Sequence, residues 1–279
     1  MAASRPVRSE EPARGRIGSP RRRRVARRAE PRPAERMALS LAGIALVLGI
    51  WQLLSDRGTL NPLIWSSPSR IWNAFETMVS SGSLWPLLGE SAKLFAVGLA
   101  VSISTGTLIG AALGWYATAR AVFEPWMTML YAMPALALVP LFEIAFGSGF
   151  ETQVIVVWTV AVFPVLINVA AGVGTTDRDQ LEVARSFLAT NRDVLWGVAI
   201  PGALPYLIAG IQQALALSLV GVVVAEYFIG NNGLGGLILT QSEALQTPQA
   251  YVGVLLFAIA GVSLTALLRR CERWLVRWR

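Results

Sequence analysis

The chain has no histidine, one cysteine (Cys271) and one lysine (Lys93). Without histidine, imidazole acid–base chemistry and histidine-ligated metal sites are excluded. A lone cysteine rules out an intrachain disulfide. Lys93 lies between Ala92 and Leu94, so no Walker A sequence is present. The glycine run Gly230-Asn231-Asn232-Gly233-Leu234-Gly235-Gly236 is followed by no Lys-Ser or Lys-Thr and is not a phosphate loop. Charge is scarce too, at 15% of residues against 54% hydrophobic. A membrane-embedded enzyme would need a convergent catalytic set, and only scattered Glu, Asn and Gln are on offer. The expectation is a chain that is not an enzyme and holds no metal and no cofactor of its own.

With 279 residues of this composition, the chain is too apolar for a soluble domain and long enough for several membrane spans. A span needs about 20 apolar residues. Six runs qualify, at 37–54, 94–116, 125–146, 153–173, 206–228 and 251–268. The fold class is therefore all-α integral membrane with six transmembrane helices. Of 24 basic residues, all but Arg57, Arg70 and Lys93 fall on the side of the N-terminal tail or the loops that share it. By the positive-inside rule both termini and the 174–205 segment are cytoplasmic. The reading is a multi-pass plasma-membrane protein.

Residues 1–36 are rich in Arg and Pro and poor in large apolar side chains, which predicts a disordered cytoplasmic tail ahead of a transmembrane domain at 37–279. Topology control and weak attraction to anionic lipid account for such an arginine block without a nucleic-acid partner. The first apolar run is span-length and ends Trp51-Gln52-Leu53-Leu54-Ser55-Asp56, with no small-x-small cleavage site, so it reads as a retained helix.

Beyond the first span, Ser67 and Pro68 make a helix start, and Ile71, Phe75 and Met78 recur on one face, as in a helix lying along the membrane interface; a loop with interfacial tryptophans is the other reading. Within the spans, Glu143, Asn168, Gln212, Gln213 and Glu226 are candidates to line a translocation pathway, because polar groups in hydrocarbon face a cavity or find a partner. Snorkelling, or pairing with Lys93, is the alternative for the two carboxylates. Pro134, Pro140 and Pro164 are candidate kinks.

The most informative stretch is a polar island at 182–205, reading Glu182, Val183, Ala184, Arg185, Ser186, Phe187, Leu188 and Ala189, then Val198-Ala199-Ile200-Pro201 and Pro205. Asp177 and Gln180 give a capping-box-like start. Leu181, Ala184 and Leu188, with Val183 and Phe187, form an apolar stripe at helical spacing. Thr190 and Asp193 offer a second start. A helical hairpin with one apolar face suits a groove on a soluble partner. An ordinary interfacial helix between spans is the plainer reading of the amphipathicity alone.

This island resembles the EAA loop of ABC importer permeases: Glu-Ala-Ala, three residues, Gly, nine residues, then Ile-x-Leu-Pro. Glu182, Ala184, Val198, Ile200 and Pro201 keep every spacing, while Val183 replaces an alanine and Leu188 the glycine. The segment after Glu226 resembles the Asn-Gly-Leu-Gly of the nitrate, sulfonate and taurine branch. The resemblance covers residues 60–268 and implies a type I importer permease fold. It also implies an ATPase-docking role for the hairpin, with ATP and Mg on two separate ATPase subunits. A second permease copy, most simply a homodimer, and an extracytoplasmic substrate-binding protein complete the implied assembly. The implied cargo is a small sulfonate, taurine or nitrate; a vitamin precursor such as a pyrimidine is the alternative. An ion-coupled secondary transporter is a rival class, but no clear inverted repeat supports it. At Leu188, where the glycine is lost, the expectation is negative φ, with the first helix running through it and the bend at Thr190 or Asn191.

Overall fold

The computed structural model describes residues 33–275 apart from Pro62, Asp177 and Asn231. The disorder expected over residues 1–36 lies outside these except at Pro33–Arg36, which are helical as the first turn of α1. Met1–Leu46 and Val47–Arg279 form separate compact units. Of the first, the described part is the start of α1 (Pro33–Asp56), whose side chains at 37–46 are all exposed. Along the second unit follow α2 (Pro68–Ser80), α3 (Leu84–Trp115), α4 (Ala117–Ala132), α5 (Val139–Phe146) and α6 (Phe150–Gly174). Then come α7 (Arg178–Ser186), α8 (Asn191–Val194), α9 (Ile200–Phe228), α10 (Gly233–Glu243) and α11 (Thr247–Leu275). Among the described residues there is no strand.

Among the described residues, five helices are long and apolar enough to cross a membrane: Met37–Asp56, Leu84–Trp115, Phe150–Gly174, Asn191–Phe228 and Thr247–Arg270. The expected third span is broken. Ala117–Ala132 and Ala135–Phe146 qualify only together and are bent by 82°. Pro134 is the cause: it pushes the preceding Met133 into extended backbone, ψ 140°, where a helix cannot continue. Pro140 sits in the first turn of α5, where its missing N–H costs nothing, and Pro164 stays inside an unbroken α6.

The core is α6 packed between α3 and α9. Gly98, Ser102, Gly106, Gly110 and Gly114 place a small residue every fourth position down one face of α3. A Cβ at Gly110 would lie 2.6 Å from the Leu166 carbonyl oxygen, so the two helices meet backbone to backbone only because none is present. A second cluster joins Ile71 and Met78 of α2 to Leu84, Leu234, Leu237 and Val252 from α3, α10 and α11. The expected start of α2 is present, with Ser67 as N-cap accepting from the Arg70 N–H at 3.3 Å.

Candidate functional site: a docking hairpin and a buried clasp

The polar island folds as a helical hairpin, α7 then α8. The second arm begins as its residues dictate. Thr190 caps α8 in a reciprocal box: its Oγ1 accepts from the Asp193 N–H, and its own N–H donates to the Asp193 carboxylate at 2.8 Å. In the first arm, Val183, Phe187 and Leu188 are 57%, 82% and 92% exposed. Glu182 and Ser186 are exposed as well, with the Ser186 hydroxyl donating back to the Glu182 carbonyl at 2.9 Å. Asp177 and the side chains of Leu181 and Arg185 lie outside the described residues.

Leu188 contradicts the expectation. Its φ is +59°, and α7 stops at Ser186 instead of running through it. The Ala189 N–H donates to the Ala184 carbonyl at 3.2 Å, the six-to-one bond of a Schellman turn, so the residue between them must be left-handed. The bend is at the family's glycine position, not at Thr190 or Asn191. Termination of the helix here outweighs the roughly 1–2 kcal/mol that a leucine incurs in this conformation.

Ala184 is half-buried and faces, across a groove of about 590 Å³, Val198, Pro201 and Gly202 from the returning arm. The return is continuous: α8 passes through a π turn at Leu195–Ala199 directly into α9, so the span begins well before the expected residue 206. Pro201 offers no N–H, and the Ile200 N–H reaches back five residues to the Leu195 carbonyl.

At the other end of α9 lies Glu226, one of the candidate pathway residues. Glu226 was expected along a pathway; it is 1% exposed, enclosed between α3, α9 and α10. The Ser91 hydroxyl donates to its Oε1 at 2.7 Å, and the Gly235 N–H donates to its Oε2 at 2.7 Å. Ser91 Oγ in turn accepts from the Leu234 N–H at 2.8 Å. These are the N–H groups that the first turn of a helix leaves without partners, and Asn232 caps none of them with its side chain. The glycine run is therefore not all loop; from Gly233 onward it is helix. A Cβ on Gly233 would collide with the Glu226 carboxyl, and one on Gly235 would lie 2.8 Å from the Val223 carbonyl oxygen.

Glu143 accepts from the Ser148 hydroxyl at 2.6 Å, while Lys93 stands 4.6 Å above the Phe150 ring, so the two do not pair. Asn168 donates to the Pro164 carbonyl one turn back at 2.8 Å; Gln212 is half-buried and Gln213 exposed. Ser91 was missed by sequence reasoning. Its signal was faint, a single hydroxyl between Glu90 and Lys93 at the start of a long apolar run; the glycines after Glu226 were the better clue.

Residues 102–279 match the family described as binding-protein-dependent transport system inner membrane component. The chain belongs to this family. An aliphatic sulfonates transport permease of Escherichia coli K12 is 32% identical over 88% of the chain and 95% of its own length. The taurine transport system permease of the same strain is 27% identical over 88% and 91%. A riboflavin transport system permease of Chloroflexus aurantiacus is 31% identical over 84% and 88%. The protein is thus a multi-pass inner-membrane permease, a transport subunit of the ABC type, and the five or six candidate spans among its described residues are consistent with that fold.

Proposed function

We propose that this permease passes a small sulfonate such as taurine from an extracytoplasmic binding protein to the cytoplasm, driven by ATP hydrolysed with Mg on a separate ATPase chain. The observation that carries the reading is the hairpin, which offers Val183, Phe187 and Leu188 to solvent on a capped helical turn. Exposed apolar side chains held on rigid backbone need a partner. The excess of basic residues on the hairpin side supports a cytoplasmic location, where an ATPase is found.

Two permease copies and two ATPases complete the assembly, most simply as a homodimer. Closure of the ATPases on ATP draws the paired hairpins together and turns the spans from inward-facing to outward-facing. The sulfonate and taurine relatives support the cargo class. Import of a vitamin precursor is the second reading, favoured by the riboflavin relative.

The test is uptake of labelled taurine into proteoliposomes holding the purified complex, its binding protein and internal ATP. ATP-dependent accumulation is expected. Uptake of riboflavin or a pyrimidine but not taurine moves the assignment to the second reading. Uptake by the permease alone under an ion gradient overturns both.

A further inference from the structure

We propose that Glu226 is a positioning residue for transport: it pins α10 to the far end of α9, so that movement of the hairpin at the near end carries α10 with it. This rests on the hairpin being the ATPase dock.

The first support is continuity. The run Asn191–Phe228 is a single helical stretch, entered directly from the Thr190 cap of the hairpin and ending two residues past Glu226. At roughly 1.5 Å per residue it joins hairpin and carboxyl by about 50 Å of continuous helical backbone. A helix of hydrogen-bonded turns carries axial displacement better than any loop in the fold.

The second is the grip. The N–H groups of Leu234 and Gly235 find their acceptors on α3 and α9, through Ser91 and Glu226, and not within α10's own sequence. The direction in which α10 leaves the turn is therefore set by those two side chains. Gly233 and Gly235 let the carboxyl abut bare backbone, which leaves no slack in the joint. A carboxyl enclosed this deeply is costly unless fully bonded, and an apolar side chain would fill the space at lower cost. What the carboxyl adds is a fixed geometry between three helices.

The third is what α10 carries. Leu234 and Leu237 pack with Ile71, Leu84 and Val252, so a shift of α10 reaches α2 and α11. The clasp thereby ties the hairpin's helix to the whole opposite end of the permease.

The experiment uses the full complex with its ATPase, in a Cys271→Ser background with Ser242→Cys as an exposed reporter on α10. Maleimide labelling of that cysteine is timed with and without a nonhydrolysable ATP analogue. With the clasp intact, the analogue changes the labelling rate at least fivefold. With Ser91→Ala or Glu226→Gln the change falls below twofold, although ATP hydrolysis and ATPase retention match the parent, and Ser91→Thr restores it. A full response in both clasp variants overturns the pin. So does a parent complex in which the analogue leaves α10 labelling unchanged. Loss of ATPase retention in the clasp variants marks a general folding fault and also overturns it. If the parent itself holds no ATPase, the docking reading fails first, and visibly so.

Discussion

The two ends of α9 invert the usual placement of side chains in opposite ways. At the hairpin, Phe187 and Leu188 are apolar and held out in solvent; at the clasp, Glu226 is a carboxyl held inside. Each arrangement is costly alone, and each is fixed by local backbone chemistry: a Schellman turn and a capping box at one end, three hydrogen bonds and two bare glycines at the other. The exposed apolar turn needs something outside the chain to cover it. The buried carboxyl finds a donor for each of its oxygens within the chain. Surface exposure at the first end thus points to a partner, and hydrogen bonding within the chain at the second points to internal alignment.

The sharpest way to break this contrast is to empty the clasp. Glu226→Ala leaves the Gly235 N–H and the Ser91 hydroxyl without acceptors, and unpaired buried groups cost about 1–3 kcal/mol each, so a loss of about 3 kcal/mol is expected. Thermal unfolding of the purified permease measures it. Glu226→Gln, which keeps the volume and one acceptor, should lose less than half as much.

At the hairpin the same kind of change should spare the fold and cost the partner. Phe187→Asp is expected to weaken ATPase binding by about 2 kcal/mol, roughly 30-fold, as for a central anchor, with the melting temperature of the isolated permease unmoved. A fall in melting temperature with unchanged binding would exchange the roles assigned to the two ends.

Much of this was legible in the sequence, though unevenly. The spans, the start of α2 and the second hairpin helix are written in local signals: apolar length, Ser67 before Pro68, Thr190 before Asp193. The broken third span carried its mark in Pro134, but whether a proline interrupts a helix depends on what packs beside it; Pro164 leaves α6 unbroken. Glu226 was visible as an anomaly, yet its partner Ser91 lies 135 positions away, and no periodicity links them. Leu188 was misread because intrinsic preference disfavours a left-handed leucine, while the turn that ends α7 imposes one.

Two smaller substitutions sharpen the comparison. Gly235→Ala should press a methyl on the Val223 carbonyl and the Glu226 side chain, destabilising the permease by about 1–3 kcal/mol as overpacking does, again read by thermal unfolding. Leu188→Gly relieves the left-handed strain and should slow amide exchange at Ala189 by an amount equivalent to about 1 kcal/mol. It also removes an apolar contact from the docking face, so ATPase binding should weaken even as the turn becomes firmer.

The most direct measurement is photo-crosslinking in intact membranes from a reactive residue placed at Phe187. The account predicts an adduct with a Walker-motif ATPase chain, absent when the probe sits at the buried Ala225 next to the clasp. A probe at Phe187 that yields only lipid adducts, in cells where the complete transporter is active, would contradict it.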